Sequence, residues 1–229
     1  MTVHRFFVTP GTITGDQLPV PAEIAHQVRR VLRLADGAEI VLLEGDGSQV
    51  TCRLESGHLT VLSRDPAQGE PHLRLTVAQA LLKGDHLETV VRAGTEVGVS
   101  RFELIVTERA VVRDLSPTRL ARLRGVAREA AEQSERGIIP EVVGPLRLDE
   151  VTTPTSVLLA ERSTGPRLST LTDLDRLIIG PEGGFTLEEV SRAVEGGARL
   201  ATLGRRILRS ETAAVTAAAV VLSGAGDLA

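Results

Sequence analysis

Two short apolar runs in the last quarter of the chain each stop at a glycine and lead into a helix start: Leu177-Ile178-Ile179 before Gly180, and Ala201-Thr202-Leu203 before Gly204. In an α/β sheet such runs are strands, and the loops at their carboxyl ends build the ligand crevice. The first loop, Gly180-Pro181-Glu182-Gly183-Gly184, has a backbone free to take positive φ and to approach a ligand closely. Thr186 and Glu189 then read as a capping box that opens a helix. A strand-to-helix turn that merely needs glycine accounts for this loop equally well. Neither the dinucleotide fingerprint nor the P-loop spacing is present. The second loop, 203–212, sets Arg205, Arg206 and Arg209 ahead of a helix that begins near Ser210. A solvated basic face is one reading of these arginines; an anionic partner beside a glycine pocket is the other.

From residue 73 onward strands and helices alternate, which predicts a parallel sheet with helices on both faces. Strands are expected over 73–82, 102–106 and 157–160. Helices are expected after Lys83-Gly84-Asp85 to about residue 97, and from Ser116-Pro117 to about residue 134. Pro140, Gly144 and Pro145 read as a break. The last helix, 210–222, is so uniformly alanine and valine that it belongs in a core or a subunit interface.

Residues 1–69 read as a small β-rich domain with one helix. A loop over 10–21 is followed by a helix over 22–34 that places Ile24, Val28, Val31 and Leu32 on one face and Arg29, Arg30 and Arg33 on the other. A hairpin turns at Glu44-Gly45-Asp46-Gly47. Pro66, Gly69 and Pro71 interrupt all periodicity, so the predicted domains are 1–69 and 73–229.

Net charge is −4, which argues against nucleic-acid binding through overall charge, so any such recognition has to be local. Lys83 is the only lysine and arginine supplies the rest of the basic residues, a bias that genomic base composition also produces. With no Trp or Tyr, base stacking falls to Phe6, Phe7, Phe102, Phe185 or arginine planes. A single cysteine, Cys52, rules out an intrachain disulfide, and the histidines lack metal-ligand spacing, so no metal is expected. No apolar run reaches membrane-spanning length and the N-terminus lacks a signal-type core, which predicts a cytoplasmic protein.

The motif Ile179-Gly180-Pro181-Glu182-Gly183-Gly184, followed by Leu203-Gly204-Arg205-Arg206-Ile207-Leu208-Arg209-Ser210-Glu211-Thr212-Ala213, resembles the C-terminal signature of the 16S ribosomal RNA uracil-N3 methyltransferases (RsmE type, SPOUT class). Gln79 to Asp85, Thr95 to Val99, Glu108-Arg109, Glu129 to Ser134 and Arg5-Phe6-Phe7 extend the likeness over nearly the whole chain. The resemblance implies a C-terminal SPOUT domain with a deep trefoil knot, which pattern reading would never propose. It also implies an N-terminal PUA-like β-barrel that docks RNA, a homodimer, and S-adenosylmethionine as cofactor. The implied reaction is methylation of N3 of a uridine in 16S ribosomal RNA of the small subunit.

The resemblance further implies a set of site residues. Leu203, Gly204, Ile207 and Leu208 would surround the adenine, with Thr212 close by. Ile179, Gly180, Pro181, Gly183, Gly184 and the strand end Leu159-Ala160-Glu161 would border the ribose and methionine portion, Glu161 reaching the ribose hydroxyls. Glu182 and Glu211 are candidate proton acceptors and Arg209 a candidate for stabilising the uracil oxyanion; Glu211 as a helix cap and Glu182 as a turn residue remain alternatives. Arg5, Arg29, Arg33, Lys83, Arg109 and Arg136 are the expected RNA contacts. Arg92 stands where the family has lysine and Leu104 where it has proline. Rival readings are a catalytically inactive, RNA-binding ribosome-assembly factor and a SPOUT enzyme acting on a ribose 2′-hydroxyl.

Overall fold

A computed structural model of the protein describes residues 3–160 and 165–228. The chain forms two compact units, Met1–Glu70 with Ala131–Ile139, and Pro71–Ala130 with Pro140–Ala229. One division falls between Glu70 and Pro71. The first unit also takes in a later stretch, so it is not the single contiguous segment the sequence leads one to expect.

In the first unit the elements are β1 (His4–Phe7), β2 (Gln17–Pro19), α1 (Ala22–His26), β3 (Glu39–Leu43), β4 (Ser48–Glu55) and β5 (His58–Pro66). They make a five-stranded sheet in the order β1-β3-β4-β5-β2, with β1 parallel to β3 and the other pairs antiparallel. Side chains alternate across it, as the strand period of two requires. Phe6, Ile40, Leu42 and Cys52 pack on one face with Ile24 and Val28, while Phe7, Val41 and Leu43 pack on the other with Ala131. The stretch expected to be loop over 10–21 contains β2, which pairs with β5 at the sheet edge. The helix expected to reach residue 34 is also shorter and irregular. After His26 it continues as a π turn, Gln27–Val31, closed by Leu32 N–H to the Gln27 carbonyl at 2.9 Å. The wider turn carries Val31 off the buried face, leaving it 63% exposed while Val28 is fully buried.

The second unit contains β6 (Thr76–Ala80), α2 (His86–Val97), β7 (Arg101–Val106), most of α3 (Pro117–Gln133), β8 (Glu141–Arg147), α4 (Leu148–Val151), β9 (Ser156–Leu159), β10 (Arg176–Ile179), α5 (Leu187–Glu195), β11 (Arg199–Ala201) and α6 (Ser210–Gly224). Its strands form a six-stranded, wholly parallel sheet in the order β11-β9-β10-β6-β7-β8. The segment read as a break at Pro140 to Pro145 enters β8 at Glu141, so that Gly144 and Pro145 are strand residues. The strand lies at the sheet edge, where a proline without a donor is tolerated, and its register shifts opposite Leu104. Ala78, Ile105, Leu158 and Ile178 pack with α4 and α5 on one face. On the other, α6 lies against β10, β6 and α2. The sequence of α6 explains that position. Ala214, Ala217, Ala218 and Leu222 are buried, and small side chains let it approach both the sheet and α2.

Candidate active site

Because the sheet is parallel, the carboxyl ends of β6, β7, β9, β10 and β11 all open on one side. A cleft of about 1630 Å³ lies there, lined by the ends of β9 (Leu159, Ala160) and β10 (Ile179) and by both glycine loops. Gly204 sits at φ +115 with open space where a Cβ would stand, a conformation that glycine alone takes easily. At Gly183 the restriction is packing, since an added Cβ would stand 3.2 Å from Arg109 Cβ and 3.3 Å from the Arg109 carbonyl.

The two loops are tied together below the cleft. Ser210, the first residue of α6, donates through Oγ to the Gly180 carbonyl at 2.5 Å. The fully buried Gln79 on β6 donates through Nε2 to Ser210 Oγ at 2.9 Å and to the Ala80 carbonyl at 3.0 Å. The first loop is held on its other side as well. Glu182 accepts the Lys83 N–H at 3.2 Å across the ends of β10 and β6, and Arg109 donates to the Gly183 carbonyl at 3.2 Å. The capping box read in the sequence is present, with Glu189 N–H on Thr186 Oγ1 at 3.1 Å and Thr186 N–H on Glu189 Oε2 at 2.9 Å. Glu189 does more than cap: it is 2% exposed, and its other oxygen accepts the Glu108 N–H at 2.8 Å, fixing the turn that carries Arg109.

The predicted site residues are therefore largely gathered in one place. Leu159, Ala160, Ile179, Gly180, Pro181, Gly183, Gly184, Leu203, Gly204, Ile207 and Leu208 line the cleft, as do Glu182, Arg209, Glu211 and Arg109. Glu161 lies outside the described residues. Thr212 does not line the cleft and is exposed, because the residue after Glu211 is turned about 100° around the helix. Lys83 is exposed beside the cleft and touches the site through its backbone. In the first unit Arg29 and Arg33 are exposed, and Arg5 is held by Glu135 at 2.8 Å. Arg136 is a correction. It is 1% exposed and paired with Glu70, Nη2 to Oε2 at 3.0 Å and Nε to Oε1 at 3.3 Å, so its guanidinium is committed to the interior of the first unit.

Several cleft residues were missed, two of them with side chains that can pair with an anion or a proton. Arg167 and His86 both line it, and His86 Nδ1 stands 3.3 Å from Glu211 Oε1. No local signal marks either one, since they reach the cleft only through packing of segments distant in sequence. Among the described residues no group of His, Cys, Asp or Glu could hold a metal ion, and no helix is long and apolar enough to cross a membrane.

Residues 69–222 match the family described as RNA methyltransferase domain. The chain is 34% identical to ribosomal RNA small subunit methyltransferase E of Synechocystis, over 95% of this chain and 77% of that protein. It is 30% identical to the protein of the same name from Mycobacterium bovis, over 96% and 92%. The crystal structure of a ribosomal RNA small subunit methyltransferase E from Neisseria gonorrhoeae bound to S-adenosyl methionine superposes with a TM-score of 0.85, at 29% identity and covering 95% of this chain and 96% of that one.

Proposed function

Since the chain belongs to the ribosomal RNA small subunit methyltransferase E family, we propose that it transfers the methyl group of S-adenosylmethionine to N3 of a uridine in the 16S ribosomal RNA of the small subunit. The observation that carries this reading is the convergence of both glycine loops and the end of β9 on one cleft. Its lining fits the cofactor. Leu159, Ile179, Leu203, Ile207 and Leu208 supply apolar surface for an adenine ring, and the loop backbones supply donors and acceptors without competing side chains. When bound there, the cofactor supplies an electrophilic methyl group.

The protein's own part is to orient the uracil and take up its N3 proton. Glu211 is the better placed acceptor, because its side chain is 14% exposed and lines the cleft. Glu182 is exposed and already bonded to the Lys83 N–H. Arg209 is exposed and lines the cleft, where it can balance charge developing on a uracil carbonyl oxygen. Arg109, Arg205 and Arg206 line the same cleft and suit the phosphates on either side of the target.

The finer parts of the reading have their own support. A knotted arrangement agrees with the approach of residues 167–168 to Thr202, whose carbonyl accepts the Leu168 N–H at 3.0 Å. The small sheet with exposed Arg29 and Arg33 suits a PUA-like RNA-docking domain. Half-exposed Val215, Ala219 and Val220 on α6 suit a homodimer interface. A ribosomal substrate would place the enzyme in the cytoplasm.

Calorimetric titration with S-adenosylmethionine, followed by transfer to small ribosomal subunits with nucleoside analysis, tests the proposal. Saturable binding that is lost in Gly183→Val, together with N3-methyluridine as product, is the expected result. Binding without transfer to subunits or naked RNA would leave an assembly factor as the better reading. A 2′-O-methylated nucleoside would move the enzyme to a different reaction.

A further inference from the structure

We infer that His86 is a positioning residue for methyl transfer, its imidazole holding the Glu211 carboxylate in the orientation from which it takes the uracil N3 proton. The inference rests on the assignment of Glu211 as proton acceptor and goes beyond it.

The argument starts from how α2 and α6 lie. They pack against each other, with His86 beside Glu211 at their first turns and Gly98 near Leu222 at their last, so they run side by side in the same direction. Each first turn is separately anchored. Ser210 is bonded to the Gly180 carbonyl and to Gln79. The turn before α2 is gripped by Arg119, whose Nη2 donates to the Leu82 carbonyl at 2.9 Å and the Gly84 carbonyl at 3.0 Å. Two fixed backbones therefore hold the imidazole and the carboxylate at 3.3 Å, both on the lining of the cleft.

Among the described residues His86 is the one group paired with Glu211. The contact uses Oε1, and Glu211 itself lines the cleft. A glutamate side chain has rotamer freedom to lose on ordering, and a proton acceptor has to stand within about 3 Å of its donor. A partner that fixes one carboxylate oxygen removes that search before the RNA arrives. The remaining reach of the imidazole is toward solvent, its side chain being 38% exposed.

The test is steady-state kinetics on the full-length enzyme with small ribosomal subunits, comparing His86→Leu, His86→Lys, Glu211→Gln and the double variant His86→Leu/Glu211→Gln. His86→Leu is expected to lower kcat by about 10- to 100-fold, the range for partners that orient a functional group. KM for RNA and the Kd for S-adenosylmethionine should stay within about twofold. Lysine keeps a nitrogen donor at that position, so His86→Lys should recover most of the loss. In the double variant His86→Leu should add nothing to the defect of Glu211→Gln, because the two residues act as one unit. Unchanged kcat in His86→Leu beside a disabled Glu211→Gln would overturn this inference alone. Full activity of Glu211→Gln would remove the assignment on which it rests. A His86→Leu defect that follows a falling melting temperature or a weakened cofactor Kd, and is not recovered by lysine, would reduce the pair to a helix-to-helix brace and overturn the inference.

Discussion

The buried pair between Arg136 and Glu70 separates a structural arginine from an RNA contact. Arg136 has a side chain 2% exposed, Glu70 one 20% exposed, and Glu70 Oε1 also accepts the Ile138 N–H at 2.9 Å. Removing one member of a buried ion pair costs about 3–5 kcal/mol, chiefly because the other charge is left without its counterion. The two partners are not equivalent here. Glu70→Gln keeps an oxygen for Ile138 but removes the carboxylate charge that faces a guanidinium with almost no access to water, so it should be the costlier of the two changes, about 4 kcal/mol. Arg136→Met leaves a carboxylate that still has the Ile138 N–H and some solvent, and should cost less, about 2–3 kcal/mol. The double variant should be more stable than Glu70→Gln alone, since no buried charge remains uncompensated. The assay is urea unfolding followed by far-UV circular dichroism, because the chain has no Trp or Tyr to report by fluorescence. With a urea dependence of about 1–3 kcal/mol per molar, 4 kcal/mol moves the midpoint by roughly 2 M. In parallel, the salt dependence of RNA binding by folded Arg136→Met should match the parent, whereas loss of one phosphate contact would flatten the log–log slope by about 0.7–0.9. A midpoint that barely moves, combined with a flattened slope, would refute the reasoning and return Arg136 to the RNA-binding surface.

Two further predictions concern ionisable groups away from the cleft. Burial raises the Asp227 carboxyl, but N–H donation from His72 at 2.8 Å and Leu73 at 3.0 Å, with the His72 ring at 2.9 Å, outweighs it and leaves the group below its ordinary value of 3.8. A depressed folded-state pKa gives stability that is complete above the unfolded value and is lost as pH falls through the folded one. The melting temperature of Asp227→Asn should therefore lie below the parent's at neutral pH and converge with it below about pH 3.8, and a constant gap down to pH 2 would contradict this. Burial pushes the Cys52 thiol up to about 11, so at pH 8 a disulfide reagent should modify it only after unfolding; prompt labelling of the native protein would contradict the packing of the first unit.

What was legible in the sequence was what short-range chemistry dictates. The glycine loops, the Thr186–Glu189 box and the apolar composition of α6 each state their own conformation within a few residues, and each is found in place. The errors have a common cause. A helical period cannot announce a π turn, so Val31 was assigned to a buried face it does not occupy. Gly144 and Pro145 look like a break unless the strand they belong to is known to be at an edge. Arg136 has the chemistry of a surface residue, and its pairing with Glu70, far along the chain, belongs to an interior one. The cleft follows the same division. Its backbone-built half, the loops that would take a cofactor, could be read directly because glycine and strand ends carry the information locally. Its side-chain half could not, because His86 and Glu211 meet only when α2 and α6 pack in parallel, with Gln79 and Arg119 anchoring their first turns. A motif can therefore be intact in a chain whose acid–base pairing has been lost at a position outside it. On the inference drawn above, loss of His86 in this chain would leave the cofactor loops in place and lower turnover, so cofactor binding by itself does not report that the pairing is intact.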